Sequence, residues 1–213
     1  MKADLFGKTI HWLTAVYLVL GGLLLVTTEH GDLVLWLNDH HSPSGDLFFK
    51  YWTFVGDGLV LGIVALIFLF VNYHKFFTLL IAIAFQTALV HIFKQWLYAG
   101  EPRPKLFFQN SDVLLNFVEG VNVRSYDAFP SGHTASAFTL AFFLMLVIRK
   151  TSARVAIFIG AVLVGISRMY ILQHFARDVY FGSLIGIISV VLAYIIMAPK
   201  SESEKLQKGL LSK

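Results

Sequence analysis

The chain has 213 residues, of which 57% are hydrophobic and 14% are charged, and its net charge is +4. A soluble domain has roughly 25% charged residues. This composition therefore excludes a water-soluble fold that hides its apolar side chains in one core, and lipid must cover much of the surface. The absence of cysteine excludes disulfides and thiolate metal sites.

Six apolar stretches can cross a bilayer, which takes about 20 mostly apolar residues in a helix. In chain order they cover residues 9–28, 58–72 (extended back through 54), 76–98, 134–148, 154–171 and 179–198. The second and fourth are short and must borrow flanking residues. The pattern predicts an all-α fold, an integral membrane bundle of six transmembrane helices that forms a single domain over residues 1–199.

Three segments lie outside these stretches. Residues 33–52 are amphipathic and rich in aromatic side chains, with a Ser-Pro-Ser-Gly break at 42–45. Aromatic side chains of this kind favour the headgroup level, so we expect one or two outer interfacial helices here. A long loop covers residues 99–129, and residues 200–213 form a polar, basic tail that we expect on the cytoplasmic side.

The distribution of lysine and arginine predicts the orientation, because cytoplasmic segments carry an excess of both. If the N-terminus is cytoplasmic, ten of the 17 basic residues lie on the inner side, with only three of the 13 acidic residues. Both termini are therefore predicted to be cytoplasmic. In a bacterium the outer ends of the spans would face the periplasm from the inner (cytoplasmic) membrane.

Three groups of polar residues fall at the predicted outer ends of different spans. The groups are Lys94 with Arg103-Pro104, then Pro130-Ser131-Gly132-His133, then Ser167-Arg168 followed by His174 and Asp178. The charge pattern places all three on one side of the membrane without any use of these motifs. They are therefore candidates for a single site.

The first two groups and Arg168 have the chemistry of a phosphate site. Gly132 and Ser131 immediately precede an apolar helix, whose N-terminus offers free N–H groups and a favourable dipole to an anion. Gly132 permits close approach of the backbone, and Ser131 adds a hydroxyl donor. Arg103 and Arg168 offer planar guanidinium groups that suit phosphate oxygens, and Lys94 adds a point charge.

His174 and His133 are candidates for the nucleophile and the general acid of a reaction at this site. His174 and Asp178 are four residues apart, which places them on one face if this stretch is helical. A carboxylate that accepts from one imidazole nitrogen leaves the other nitrogen free to attack, and it stabilises positive charge on the ring. His133 is the candidate general acid for the leaving oxygen.

These residues resemble a known family. Phe129-Pro-Ser-Gly-His133 and Ser167-Arg-x5-His174-x3-Asp178 are similar to the second and third signatures of the type 2 phosphatidic acid phosphatase family. That superfamily also includes glucose-6-phosphatase, sphingolipid phosphatases and the soluble vanadium haloperoxidases. The resemblance covers roughly residues 94–178. It implies a six-helix membrane bundle, a phosphohistidine on His174, Asp178 as its orienting carboxylate and His133 as the acid. It also implies that Arg103, Ser131, Gly132 and Arg168 hold the phosphate.

The first signature departs from the family pattern. The family usually places a lysine with six residues between it and Arg-Pro, whereas eight residues separate Lys94 from Arg103. Trp96 stands where the usual spacing would put the lysine. A two-residue insertion around Ala99-Gly100 would restore the geometry, since glycine tolerates a bulge. Lys105, beyond the Arg-Pro pair, is the weaker substitute.

Other polar residues have simpler interpretations. Asp57 is expected to cap the N-terminus of the second span. Glu101 and Arg177 adjoin motif residues and are candidates for a substrate contact. Gln86 and His91 lie within the third span, where polar side chains are either functional or bonded between helices.

The favoured function is hydrolysis of a lipid phosphomonoester or pyrophosphate without a metal or other cofactor, since phosphoryl transfer depends on positioning and charge stabilisation. Undecaprenyl pyrophosphate is the favoured substrate. Phosphatidylglycerol phosphate, phosphatidic acid and lipid A phosphates remain open, as does phosphotransfer to another acceptor. A transporter of a phosphorylated ligand is the alternative from another class. No nucleic-acid partner is expected, and the sequence does not predict an oligomeric state.

Overall fold

The computed structural model describes residues 6–211, which contain helices and no strand. The helices are α1 (Lys8–Thr27), α2 (Asp32–Asp39), α3 (Pro43–Trp52), α4 (Gly58–Val71), α5 (Tyr73–Ile92), α6 (Pro104–Phe107), α7 (Gly132–Val147), α8 (Thr151–Tyr170), α9 (Ala176–Met197) and α10 (Glu204–Gln207). The predicted all-α membrane bundle is confirmed. Lys2, Asp4 and Lys213, which contribute to the charge pattern, lie outside the described residues.

Within residues 6–211, four helical segments are long and apolar enough to cross a membrane by themselves. They are Lys8–Thr27, Tyr73–Leu97, Thr151–Tyr170 and Ala176–Lys200. The predicted second span is shorter: α4 has 14 residues, and it joins α3 and the 3₁₀ turn Thr53–Gly56 through a bend of 48°. The predicted fourth span, α7, has 16 residues. At 1.5 Å per residue, α4 and α7 are about 21 and 24 Å long, less than a hydrocarbon core of about 30 Å.

Helix α7 is the centre of the bundle. Most of its side chains are buried, including Phe138, Phe142 and Phe143. Helices α5, α8 and α9 enclose it. Helix α9 approaches closest, because a Cβ at Gly182 would lie 2.6 Å from the Ser131 carbonyl and one at Gly186 would lie 2.5 Å from the Ala135 carbonyl. Small residues of this spacing let two membrane helices come into backbone contact.

The six long helices alternate in direction, so the bundle has two distinct ends. We call the end where α7 and α9 begin the site end; it also carries α2, α3, α6 and the loop after α5. Tyr170 at the C-terminus of α8 donates to Asp46 of α3 over 2.7 Å there, and Asn38 of α2 donates to Asn116 of the loop over 2.8 Å. The expected interfacial segment is thus two short helices packed on the loop and on α8.

The opposite end, which we call the tail end, gathers both described ends of the chain. Arg154 at the start of α8 donates to the carbonyl of Phe6 over 2.7 Å. The tail packs on the turn between α4 and α5, where Asn72 donates to the Gln207 carbonyl over 3.2 Å and the Tyr73 amide donates to Lys208 over 2.8 Å.

Candidate active site

His174 and Asp178 form a buried pair at the site end, with His174 in the turn after α8 and Asp178 in the first turn of α9. The His174 amide donates to the Arg168 carbonyl over 3.0 Å, which fixes the turn. The Asp178 Oδ2 atom accepts from the Phe175 amide over 2.9 Å and lies 3.5 Å from His174 Nδ1. Both side chains are almost fully buried. The carboxylate occupies the Nδ1 side of the ring, so Nε2 is the nitrogen left for chemistry.

The pKa of His174 lies well below its ordinary value. Burial is the main cause, and the positive charges of Arg103, Arg168 and Lys94 add to it. A buried ring among cations resists taking up a proton. The imidazole is therefore neutral at neutral pH, as a nucleophilic nitrogen must be.

The N-terminus of α7 lies beside this pair. The Ser131 hydroxyl caps the helix, accepting from the Thr134 amide over 3.4 Å and from the Thr134 hydroxyl over 2.9 Å. The Ser131 amide donates to the Asp178 carbonyl over 3.0 Å. Ser131 is fully buried behind the cavity wall, while Gly132 and His133 line the cavity. The free amides of the helix end at the cavity are thus those of Gly132 and His133.

A Cβ at Gly132 would meet only Val90, at 3.8 Å. That is an ordinary contact distance, so packing within the protein does not require glycine here. Gly132 itself lines the cavity, as expected if a ligand approaches its backbone closely.

Arg103 is held by several acceptors at once. Its Nε donates to the Tyr126 carbonyl over 2.7 Å, its Nη1 to the Gln173 side chain over 2.7 Å, and its Nη2 to the Asp127 carbonyl over 3.2 Å. Burial lowers the pKa of Arg103 to about 10, and the nearby charge of Arg124 adds to this effect. Arg103 remains a cation at neutral pH in a fixed position.

The Lys94 side chain reaches the same part of the site as Arg103. Its Nζ donates over 2.6 Å to the Asp127 carbonyl, which also accepts from Arg103. Lys94 itself lies in a wide π turn, Phe93–Leu97, and Gly100 then adopts a left-handed conformation with φ +76. These two features absorb the longer spacing to Arg103. Trp96 is 79% exposed and Lys105 does not line the cavity.

Arg168, at the last turn of α8, has unused donors. Its Nη1 donates to the Thr53 hydroxyl over 2.8 Å, while its Nε is buried without a hydrogen-bond partner. A buried N–H of a guanidinium that lacks an acceptor is costly. Arg168 also lines the cavity, where its guanidinium group can meet an oxyanion.

These groups surround one cavity of about 460 Å³ at the site end. Six of the eight residues predicted for the site line it: Lys94, Arg103, Gly132, His133, Arg168 and His174. The other two, Ser131 and Asp178, stand directly behind Gly132 and His174. Sequence reasoning missed Arg124 and Gln173, which also line the cavity, because neither lies in one of the three motif groups.

Three other residues singled out from the sequence lie around this site. Asp57 caps α4, as predicted, by accepting from the Leu59 amide over 2.8 Å, and its second carboxylate oxygen lies 4.0 Å from His133 Nε2. Glu101 and Arg177 form an ion pair with each other and do not line the cavity. Arg177 Nε also lies 3.8 Å from Asp178 Oδ1, so this pair supports the site from behind.

An apolar groove of about 310 Å³ runs along the outside of the bundle beside the cavity. Ala137 and Ala141 of α7 form its floor, and Gly160 of α8 lies on one side. The turn after α3 separates groove and cavity: Trp52 and Val55 line the groove, whereas Thr53 and Phe54 line the cavity. The groove and the polar cavity therefore share one wall.

The chain belongs to the PAP2 superfamily, whose model matches residues 75–202. Among solved structures it is similar to LpxE of Aquifex aeolicus, with 30% identity, a TM-score of 0.68, and coverage of 78% of this chain and 94% of that one. A transmembrane PAP2-type phosphatidylglycerolphosphate phosphatase from Bacillus subtilis shares the fold, with 23% identity, a TM-score of 0.61, and coverage of 90% and 96%.

A curated plant protein also matches. It is a probable lipid phosphate phosphatase 4 of Arabidopsis thaliana, 29% identical over 125 residues. That match covers 47% of this chain and 41% of the plant protein. Together with the span-capable helices, these relatives identify a multi-pass membrane protein with the PAP2 fold.

Proposed function

We propose that the protein is a membrane phosphatase that removes phosphate from lipid substrates through a phosphohistidine on His174, without a metal. The observation that carries this proposal is the buried His174–Asp178 pair, whose free nitrogen adjoins a cavity lined by Arg103, Arg168 and Lys94. These cations and the N-terminus of α7 supply the positive charge that phosphoryl transfer requires.

In the first step, His174 Nε2 attacks the phosphorus atom and the bond between phosphorus and the leaving oxygen breaks. Asp178 stabilises the positive charge that develops on the ring. His133, at the cavity wall, gives the leaving oxygen its proton. In the second step, His133 takes a proton from water as the water attacks the phosphohistidine, and inorganic phosphate leaves with His174 restored. Arg103, Arg168, Lys94 and the amides of Gly132 and His133 hold the phosphate oxygens throughout.

The apolar groove supports a lipid substrate. A phosphate in the cavity and an alkyl chain in the groove would lie on the two sides of the turn at Thr53–Gly56, which places a polar site and an apolar site next to each other. We infer undecaprenyl pyrophosphate as the favoured substrate, since an outward-facing site suits a carrier lipid released on that side. The Bacillus subtilis relative, which is named for phosphatidylglycerolphosphate, makes that lipid the second candidate. The site would face the periplasm or exterior, with both termini in the cytoplasm.

Phosphate release by the purified protein in EDTA tests this proposal. The substrates are undecaprenyl pyrophosphate, phosphatidylglycerol phosphate and phosphatidic acid in mixed micelles, with His174→Ala alongside. We expect release by the wild type and none by the variant. Activity that EDTA abolishes and Mg²⁺ restores would contradict the metal-free mechanism, and product formed only with an added alcohol acceptor would indicate a phosphotransferase.

A further inference from the structure

Arg124 lies on a short segment that the site itself holds in place. The backbone carbonyls of the three residues after Arg124 all accept hydrogen bonds from Arg103. The Ser125 carbonyl accepts from the Arg103 amide over 2.9 Å, the Tyr126 carbonyl from Nε over 2.7 Å and the Asp127 carbonyl from Nη2 over 3.2 Å. The backbone on the C-terminal side of Arg124 is therefore fixed to a residue of the phosphate site.

The N-terminal side is fixed as well. Val123 is 9% exposed and packs in an apolar cluster with Leu172, two residues before His174. The Asn122 carbonyl accepts from the Gln173 side chain over 2.9 Å. A loop residue with both neighbours anchored presents its side chain from a defined position.

The Arg124 side chain has no partner of its own. It is exposed and lines the cavity, and within residues 6–211 it makes no hydrogen bond or ion pair. Its charge lies close enough to Arg103 to lower the pKa of that guanidinium. Arg124 is thus placed beside like charges, an arrangement that an anion in the cavity would stabilise.

Three cations at the cavity already balance the negative charge of one phosphate group. Lys94, Arg103 and Arg168 oppose a terminal phosphate group whose charge is about −2 at neutral pH. Arg124 adds a further positive charge at the same cavity, as does Lys50, and Asp127 is the one carboxylate of the described residues that lines it. The excess indicates a ligand with a second anionic group.

We propose that Arg124 is a second anion subsite, which binds the lipid-proximal phosphate of a diphosphate substrate while the terminal phosphate lies at His174. The proposal rests on the proposed phosphatase function and specifies its substrate class. The observation that carries it is an unpaired guanidinium on the wall of the phosphate cavity, attached to a backbone segment that the site holds in place.

The chemistry gives Arg124 a role that depends on the substrate. With a diphosphate, the bond from His174 Nε2 to the terminal phosphorus forms while the bond from that phosphorus to the bridging oxygen breaks. The electron pair stays on the bridging oxygen, so the lipid monophosphate that leaves gains one negative charge beside Arg124. With a monophosphate, the leaving group is an alcohol that takes its proton from His133, and no charge develops near Arg124.

The test compares farnesyl diphosphate with farnesyl monophosphate, which differ only in the proximal phosphate. Arg124→Gln should lower kcat/KM for the diphosphate about tenfold, because it removes a charge-assisted hydrogen bond to the proximal phosphate. The monophosphate should change less than about threefold, because it lacks the partner group. Arg124→Lys should recover part of the loss. The Arg124 side chain is exposed, so the thermal unfolding midpoint of each variant should match the wild type.

Lys105→Gln is the matched control, since it removes one charge at the same end from an exposed side chain outside the cavity. It should leave the ratio of the two kcat/KM values unchanged. An equal loss for both substrates in Arg124→Gln, or no loss, would overturn the subsite and leave the phosphatase standing. A wild type that cleaves only the monophosphate would do the same. A wild type that cleaves neither lipid would overturn the proposed function and the subsite with it.

Discussion

Asp178 connects the two halves of the candidate site. Its carboxylate accepts from the Phe175 amide and faces His174 Nδ1, while its backbone carbonyl accepts from the Ser131 amide. The histidine and the N-terminus of α7 are therefore positioned by one residue of α9. In the proposed mechanism, such preorganisation would place fixed dipoles around the reacting phosphate before it binds.

We expect His174 to remain neutral at pH values low enough to protonate a free histidine. Its pKa is lowered by burial and by the surrounding cations, so the ring binds no proton as the pH falls through about 6.5. An unfolded chain would take up that proton, so below this pH the free energy of unfolding falls as well. In ¹⁵N-histidine-labelled protein, the NMR signals missing from His174→Ala should keep the neutral Nδ1–H pattern down to about pH 5.5. Half-protonation near pH 6.5 would contradict the buried, cation-surrounded ring.

Gly132 should matter for activity and not for stability. A Cβ there has 3.8 Å to its nearest neighbour, so Gly132→Ala should fold with an unchanged unfolding midpoint, yet lose at least about tenfold in kcat/KM as the methyl group enters the cavity. Gly186→Ala is the contrast, because its Cβ would lie 2.5 Å from the Ala135 carbonyl and should destabilise the bundle. Normal turnover in Gly132→Ala would show that the phosphate does not approach this backbone.

The sequence predicted the site residues that belong to motifs of fixed spacing, and it did not predict those that lie outside such motifs. His174, Asp178 and Arg168 stand at fixed intervals along the chain, so their grouping was predictable. Arg124 reaches the cavity only because Arg103 binds the three carbonyls that follow it. A contact made by folding a loop onto a distant side chain leaves no period or spacing in the sequence.

At the scale of elements, the short helices create the features that a lipid phosphatase needs. Helix α4 begins only after the 48° bend at Gly56–Asp57, and this bend places the turn at Thr53–Gly56 between the cavity and the groove. Small residues on α7 and α8 keep the groove open. Hydrophobic stretches predicted all six long helices, because burial in lipid dominates the composition.

The bend and the π turn after α5 were not predictable. Both arise where backbone hydrogen bonding is rearranged by a cap or a packed neighbour, and an apolar run has the same composition whether it is straight or bent. The Asp57 cap was the available signal for the start of α4.

Filling the groove should separate lipid from water-soluble substrates. Ala156 lines the groove from an exposed position on α8. Ala156→Trp should lower kcat/KM for a long-chain lipid phosphate about tenfold, and should leave a water-soluble substrate such as p-nitrophenyl phosphate unchanged, because only the long chain loses apolar contact. Ile159→Trp is the matched control, since Ile159 is exposed on the same helix outside the groove. Equal effects of both variants on the lipid substrate would show that its alkyl chain does not bind in this groove.

For the whole molecule, the two ends of the bundle define the orientation that we propose. The cavity, α2 and α3 lie at the site end, and residues 6 and 211 lie at the tail end. Segments that the charge pattern assigned to the same side of the membrane lie at the same end of the bundle in the structure. The side of the membrane on which each end lies remains a prediction from the lysine and arginine distribution.

The natural chain contains no cysteine, so single cysteines can test this orientation directly. Asn110 at the site end and Ser201 at the tail end are both exposed. In intact cells, a membrane-impermeant maleimide should label Asn110→Cys, and should label Ser201→Cys only after the membrane is permeabilised. The reverse pattern would contradict the outward-facing site.

Trapping the phosphorylated enzyme tests the central claim most directly. The purified protein is mixed with undecaprenyl pyrophosphate carrying a radiolabelled terminal phosphate, quenched in alkaline denaturant within milliseconds to seconds, and mapped by mass spectrometry. The account predicts a transient, alkali-stable and acid-labile phosphoryl group on His174, absent from His174→Ala and longer-lived in variants of His133. Turnover with no phosphoryl group on His174, or with the label on another residue, would contradict it.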